Sequence, residues 1–173
     1  MKIFWIIIGV LAVLVFIVWL GLQIKSTAFS PYPERTPPLE TVPLPEGLPA
    51  PVERFYRTVY GDEIPVIETV VIKGRADISP FGVMFPGRFI FVHNAGQDYR
   101  HYIEAIFFGF PLMKVNESYV DGSSYFELPV GTVEDNPRSR QGAVLGLWAE
   151  ATWFPSIWLT DERVRWEPVD DKT

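Results

Sequence analysis

An uncharged apolar run at the N-terminus constrains this chain most. Ile3–Ile24 contains 22 residues, mostly Ile, Val, Leu, Phe and Trp, and is flanked by Lys2 and Lys25. As a helix rising about 1.5 Å per residue it is about 33 Å long, which matches the hydrocarbon core of a bilayer. A secretory signal peptide is the alternative, because residues 26–28 resemble a small-residue cleavage site, but its apolar part is usually shorter. We predict an uncleaved transmembrane anchor over residues 1–25.

The flanking charges say little about the orientation of this anchor. Lys2 precedes it, and Lys25 and Arg35 follow it, so the positive charges are nearly balanced. The very short N-terminal tail favours a cytoplasmic N-terminus. We therefore expect a single-pass membrane protein whose soluble domain is extracytoplasmic.

The composition changes after the anchor. Residues 26–47 have no apolar periodicity, which predicts a stiff proline-rich linker that is either extended or lies along the domain surface. Residues 48–173 carry helical and alternating patterns, which predict one globular α+β domain. The prolines between residues 26 and 51 are Pro31, Pro33, Pro37, Pro38, Pro43, Pro45, Pro49 and Pro51.

Charge and cysteine content exclude several classes of function. The chain carries a net charge of −6, which argues against nucleic acid as a partner. It contains no Cys, so disulfides, Cys-type zinc sites and thiol catalysis are excluded. The chain is 48% hydrophobic and 15% aromatic, which is typical of a folded core and not of disorder.

Local patterns predict the elements of the domain. Asp121-Gly122 between alternating runs is typical of a tight hairpin turn, and Asn136 before Pro137 is typical of a helix start. The predicted elements are a helix over Leu48–Tyr60, strands over Val66–Ile78, Arg88–His93 and Tyr99–Phe108, a hairpin over Pro111–Gly131, a helix from Pro137 broken by Pro155, and a last strand over Arg163–Val169.

The tryptophan-rich stretch Leu145–Leu159 contains a single carboxylate, Glu150. A carboxylate in an apolar run needs a partner, and we predict that Arg54, with Arg57 as the other candidate, forms a charge clamp with it. A ligand-contacting carboxylate and simple exposure are the alternatives. Three tryptophans are expected to close the helix over the sheet or to face a ligand, namely Trp148, Trp153 and Trp158.

No catalytic signature is present. His93 and His101 do not have the spacing of H-E-x-x-H or H-x-H motifs, so the sequence predicts no metal site. Nucleophile elbows and phosphate-binding glycine loops are also missing from the sequence. We expect no catalytic residue and no cofactor.

Three stretches resemble a family of uncharacterised bacterial membrane-associated proteins. They are LPAPVERFY at Leu48–Tyr56, YVDGSSYFELPVG at Tyr119–Gly131, and LWAEATWFPSIWL with VRWEPVDD at Leu147–Leu159 and Val164–Asp171. The family's early Arg is matched by Arg54, and the acid and aromatic of its late motif are matched by Glu150 and Trp153.

The resemblance implies a fold and an open edge. The implied fold is a curved antiparallel sheet packed with two or more helices, similar to lipoprotein-carrier domains that hold acyl chains in a hollow. Members of the family continue into further strands beyond the VRWEPVDD segment, so a shorter sheet with an open edge is expected here. Such an edge invites pairing with a protein partner.

These features lead us to expect a non-catalytic membrane-anchored domain that binds an apolar, lipid-like ligand or docks on a membrane complex. A structural accessory subunit of a membrane protein complex is one alternative, and a hydrolase with an unrecognised site is another. The expected partners are the lipid bilayer, a lipid ligand and a protein at the open edge.

Overall fold

The structure is a computed structural model that describes residues 1–30 and 38–170; Pro31, Pro33, Arg35, Pro37 and Asp171, which are named above, lie outside the described residues. The helices are α1 (Lys2–Gln23), α2 (Ala50–Tyr60), α3 (Pro137–Glu150) and α4 (Ile157–Thr160). The strands are β1 (Thr41–Pro43), β2 (Glu63–Pro65), β3 (Thr69–Ile78), β4 (Phe85–Asn94), β5 (Asp98–Phe107), β6 (Phe110–Val120), β7 (Ser123–Leu128) and β8 (Gly131–Val133).

Helix α1 corresponds to the predicted apolar segment. Its 22 residues include no acidic residue and only Lys2 as a basic one, and nearly all its side chains are exposed. Its length and hydropathy suffice for a helix that crosses a membrane, and a signal sequence near an N-terminus meets the same criteria. Only Gly21, near its end, is buried.

Six strands form one antiparallel sheet in the order β3-β4-β5-β6-β7-β8, so each strand pairs with its neighbours in the chain. The predicted turn at Asp121-Gly122 is confirmed. Both residues have positive φ values, 49° and 76°, as a two-residue turn between twisted strands requires. With helices packed on this sheet, the predicted α+β class with an N-terminal apolar helix is confirmed.

One face of the sheet, which we call the helix face, carries the core. Tyr99 of β5 is buried against Ala143 and Leu147 of α3. A second cluster joins Ala95, Ala151, Phe154 and Ile157, with Ile67, Val70, Ile72, Trp148 and Trp158 packed around it. The strand residues among these, such as Val70 and Ile72 of β3, point to the same side because residues two apart on a strand share a face.

The opposite face of the sheet is contacted by the start of the predicted linker. The Ser26 hydroxyl donates to the Gly87 carbonyl over 2.8 Å, and the Phe29 ring lies 5.9 Å from the Tyr102 ring. Strand β1, which also lies in the predicted linker, pairs with β2 of the domain. The described parts of the linker are therefore in contact with the domain, which agrees with the surface-lying alternative.

The predicted last strand at Arg163–Val169 is wrong. Its residues, all within the described range 38–170, form no ladder with the sheet, and their side chains instead contact the β4–β5 turn and α4. Arg163 donates to the Gly96 carbonyl over 2.6 Å, and the Trp166 indole donates to the Trp158 carbonyl over 3.0 Å. Trp166 packs on Tyr56 of α2, and an alternating pattern alone does not distinguish such a segment from a strand.

Asn136 caps α3 as predicted. Its side chain accepts hydrogen bonds from the backbone N–H groups of Arg138 and Ser139, both over 3.0 Å, and the Ser139 hydroxyl accepts from the Asn136 N–H. We expect Asn136→Ala to lower the free energy of unfolding by about 1 kcal/mol, measured by urea titration of the full chain in detergent. Arg138→Ala, in the same turn, should change it by less than about 0.5 kcal/mol. Equal effects of the two substitutions would contradict the capping role.

Candidate functional site

Two strands and one helix bring His93, His101 and Glu150 together. In the β4–β5 ladder His93 lies opposite Tyr99 and His101 lies opposite Phe91, so both imidazoles are on the helix face at diagonal positions. Glu150 is the last residue of α3, which lies over that face.

The three side chains converge at a buried point. Glu150 Oε2 lies 3.2 Å from His93 Nε2 and 3.0 Å from His101 Nε2. One potential ligand atom from each residue lies within 4.8 Å of the other two. The His93 side chain is fully buried, and that of His101 is 4% exposed, whereas Glu150 is 22% exposed. The two histidines are thus buried, and Glu150 connects the cluster to solvent.

These short contacts are not well-aligned hydrogen bonds. Both nitrogens of His93, Nε2 of His101 and Oε2 of Glu150 are buried without an aligned hydrogen-bond partner among residues 1–30 and 38–170. Burial alone would raise the pKa of Glu150, but the adjacent His101 and His93 outweigh burial and lower it to about 2. Glu150 is therefore a carboxylate at neutral pH.

A second carboxylate stands behind His101. Glu117 Oε2 lies 3.9 Å from His101 Nδ1, and the Tyr99 hydroxyl donates to Glu117 Oε1 over 2.6 Å. Burial opposes protonation of His101, but Glu117 and Glu150 together raise its pKa. Burial, followed by the hydrogen bond to Glu117, raises the pKa of Tyr99, so its hydroxyl stays protonated and remains a donor.

Aromatic rings enclose the two histidines. The Phe91 ring stacks on His101 with centroids 3.9 Å apart, and Trp153 lies 6.1 Å beyond Phe91. Phe154 packs 5.3 Å from His93. The cluster therefore has apolar walls, which strengthen every electrostatic interaction inside it.

The predicted clamp between Glu150 and Arg54 is absent, because Glu150 faces the two histidines. Helix α2 contacts the α3–α4 region through Tyr56, whose hydroxyl donates to the Pro155 carbonyl over 2.8 Å. Arg54 lines a surface depression on α2 with Glu53 and Arg57. The other candidate, Arg57, pairs with Glu53 and Asp62 at the surface.

The three tryptophans that were predicted to pack the helix against the sheet differ in how deeply they are buried. Trp148 and Trp158 pack against the core, but Trp153 is 55% exposed. The buried aromatic of that stretch is Phe154, at 4% exposure.

The histidine cluster was missed because motif spacing along the chain does not describe pairing across a hairpin. A signal was present in the sequence. The predicted strands Arg88–His93 and Tyr99–Phe108 are neighbours in the chain, and pairing their adjoining ends places His93 opposite Tyr99, as in the structure. His101 then lies on the same face two residues further along β5.

An apolar pocket of about 320 Å³ adjoins the cluster on the helix face. Ile103 and Val115 line it. Ile103 follows His101 by two residues on β5, and Val115 precedes Glu117 by two residues on β6, so all four side chains share the helix face. The remaining lining residues are also apolar, namely Ile78, Pro80, Ala105, Met113, Leu128, Pro129 and Val130.

The pocket lies at one end of the sheet, which we call the uncharged end. Three connections meet there, residues 79–84, 107–112 and 128–131, and none contains a charged residue. Their exposed apolar side chains are Val83, Met84, Phe110, Leu112, Leu128 and Val130.

The C-terminal part of α1 rests against the uncharged end. The Phe108 N–H donates to the Gly21 carbonyl over 3.1 Å. A Cβ atom on Gly21 would lie 2.6 Å from ring carbons of Phe107 and Phe108, so only glycine allows this approach. Helix α1 and the uncharged end therefore form one continuous apolar surface.

An apolar helix followed by a meander of antiparallel strands with helices on one face defines a small α+β domain with an N-terminal apolar segment. The chain belongs to DUF6544, a family of unknown function whose sequence profile matches residues 39–173. The predicted membership of an uncharacterised family is thereby confirmed. Neither the curated proteins nor the solved structures yield a match.

Proposed function

We propose that this protein is a membrane-anchored domain that binds an apolar, lipid-like ligand in the pocket at the uncharged end. The observation that carries the proposal is the wholly apolar lining of that pocket at the end of the sheet that α1 contacts. Its volume of about 320 Å³ is at the lower end of the range for small-molecule pockets, about 300–1,000 Å³.

Helix length supports a position of the uncharged end at the bilayer surface. The 22 residues of α1 extend about 33 Å, about the thickness of the hydrocarbon core, so Gly21 would lie within one helical turn of the interface. The turn at Phe108, which contacts Gly21, would then lie at the same depth. A ligand from the bilayer would reach the pocket without crossing water.

Burial of hydrocarbon supplies the binding energy in this proposal. Each methylene group removed from water contributes about 0.8 kcal/mol, and a pocket without polar lining groups imposes no desolvation penalty of its own. A ligand that leaves a bilayer gains less, because it already lies among hydrocarbon. Exchange between the bilayer and the pocket is therefore expected to be readily reversible.

Photolabelling with phosphatidylcholine that carries a diazirine at the acyl-chain terminus tests the proposal. In proteoliposomes of the full chain we expect adducts on Met113, Val115 and Leu128, in addition to adducts on α1. The α1 adducts serve as an internal standard, because α1 contacts acyl chains whether or not the pocket is filled. Adducts confined to α1 would overturn the proposal.

A matched pair of substitutions isolates the pocket. Leu128→Glu introduces a carboxylate into the apolar lining and should reduce pocket adducts about tenfold relative to α1 adducts. Leu145→Glu makes the same change at an exposed position of α3 and should leave the ratio unchanged. Equal ratios in the two variants would show that the adducts come from the protein surface.

An accessory subunit of a membrane protein complex is the second candidate. It is favoured by the open edge of β3, a ten-residue strand that pairs only with β4 within the part of the chain that the structure describes. Native mass spectrometry of the detergent-extracted protein distinguishes the candidates. Lipid bound to the single chain supports the first, and a protein subunit at fixed stoichiometry supports the second.

A further inference from the structure

We propose that His93, His101 and Glu150 bind one divalent transition-metal ion, with Zn²⁺ as the ion that fits this set of ligands. The inference goes beyond the proposed function, because it concerns the buried cluster and not the apolar pocket. It uses the convergence of three ligand atoms, their burial and the chemistry of the two carboxylates around them.

The separations of the ligand atoms fit a shared ion. Zn²⁺ binds imidazole nitrogen and carboxylate oxygen at about 2.0–2.2 Å, which places ligands of a tetrahedral site about 3.3 Å apart. Glu150 Oε2 lies 3.2 Å and 3.0 Å from the two Nε2 atoms, and one ligand atom from each of the three residues lies within 4.8 Å of the other two. A small movement of the rings would close the site.

Direct hydrogen bonds from the two histidines to Glu150 account less well for the positions of the same atoms. In such bonds each ring N–H points at the carboxylate, but neither Nε2 atom is aligned with Glu150 Oε2. His93 is fully buried, and neither of its nitrogens has an aligned hydrogen-bond partner among the described residues, which is costly for a polar side chain. A metal ion bound by the two Nε2 atoms and Glu150 Oε2 would satisfy these three atoms together, and Nδ1 is then the one His93 nitrogen left without a hydrogen bond among the described residues.

The surroundings of the cluster resemble those of metal-bound histidines. A histidine that binds a metal commonly has a carboxylate at its other nitrogen, and Glu117 lies 3.9 Å from His101 Nδ1. Tyr99 orients Glu117 through the 2.6 Å hydrogen bond. Glu117 is therefore assigned as a positioning residue.

The local charge also favours a cation. Glu150 and Glu117 form their ion pairs only with the two histidines, and no Lys or Arg pairs with either carboxylate in the described ranges 1–30 and 38–170. A divalent ion would offset both negative charges within the apolar walls. Three protein ligands would leave a coordination position for water or another ligand on the side where Glu150 reaches solvent.

Metal analysis of the full chain purified in detergent tests the site. After chelation and reloading with Zn²⁺, we expect about one ion per chain in the wild type and a rise in Tm on loading. Glu150→Gln keeps the shape of the side chain but removes a ligand charge, and it should abolish both effects. Substoichiometric zinc and an unchanged Tm in the wild type would overturn the proposal.

Two further variants separate a metal site from a structural clamp. Glu104→Gln is the matched control, because Glu104 is a buried β5 carboxylate that pairs with Arg88 over 2.6 Å outside the cluster, and it should retain the zinc. Glu117→Gln should weaken zinc affinity about 10–100-fold without abolishing binding. Loss of zinc from Glu104→Gln equal to the loss from Glu150→Gln would attribute the effect to general destabilisation and contradict the proposal.

Cobalt provides a readout that does not depend on any variant folding. Co²⁺ has strong visible absorption when it is four-coordinate, as with two imidazoles, a carboxylate and one further ligand. Fully hydrated Co²⁺, which is six-coordinate, absorbs weakly. We expect intense visible bands for Co²⁺-loaded wild type and their displacement by Zn²⁺. A spectrum identical to that of hydrated Co²⁺ would refute the site.

Discussion

Phe154→Ala should lower the free energy of unfolding by about 3–5 kcal/mol, the usual range for removing a buried phenylalanine. Phe154 is 4% exposed and joins Ala95, Ala151 and Ile157 in the core beneath α4. Its neighbours come from the β4–β5 turn, the 3₁₀ turn after α3 and α4, and a close-packed interior collapses only partly into such a space. Urea unfolding of the full chain in detergent, followed by tryptophan fluorescence, measures the change.

The neighbouring residue provides the control for this substitution. Trp153 is larger than Phe154 but is 55% exposed, and it contacts Phe91 only at a centroid distance of 6.1 Å. Trp153→Ala should therefore cost about 1 kcal/mol or less. If Trp153→Ala were the more damaging of the two, the assignment of the core in this stretch would be wrong.

The contrast between these two residues shows what could be predicted from the sequence here. The hairpin at Asp121-Gly122, the cap at Asn136 and the apolar helix at the N-terminus each follow from local chemistry, and each is present. Burial within Leu145–Leu159 does not follow from local chemistry. The chain there passes from α3 through a 3₁₀ turn at Ala151–Trp153 to α4, so helical periodicity is lost where the side chains matter most.

The partner of Glu150 could not be predicted for a related reason. The need for a partner was evident, because a carboxylate among tryptophans must be paired, but the choice of Arg54 assumed that α2 packs beside α3 through its cations. Helix α2 is held by Tyr56 instead, whose hydroxyl reaches the Pro155 carbonyl. The histidines that occupy the position come from a hairpin far from both helices in sequence.

The buried cluster and the apolar pocket are connected by strand geometry. His101 and Ile103 are consecutive helix-face residues of β5, and Glu117 and Val115 are the paired residues of β6. At about 3.3 Å per residue, the pocket lining begins about 7 Å from the cluster. A metal ion bound in the cluster would thus stiffen the inner end of the pocket.

Fluorophores attached at the uncharged end should be strongly quenched by nitroxide-labelled phosphatidylcholine, whereas a fluorophore on α3 should not. The chain contains no Cys, so a single introduced Cys is a unique attachment site. Phe110 and Val130 are 74% and 78% exposed at the uncharged end, and Leu145 is 66% exposed on α3. All three positions tolerate Cys with changes of about 0.5 kcal/mol or less, because their side chains are largely solvated.

The expected difference follows from the energetics of exposed apolar groups. Six large apolar side chains at the uncharged end would each gain up to about 1.5–3 kcal/mol on leaving water, and no charge in the three connections opposes insertion. The contact of Phe108 with Gly21 fixes this end beside the end of α1. Equal quenching at positions 110, 130 and 145 would contradict the proposed orientation. Labels at 110 and 130 that resist both lipid nitroxide and aqueous iodide would indicate a protein partner on this surface, as an accessory subunit requires.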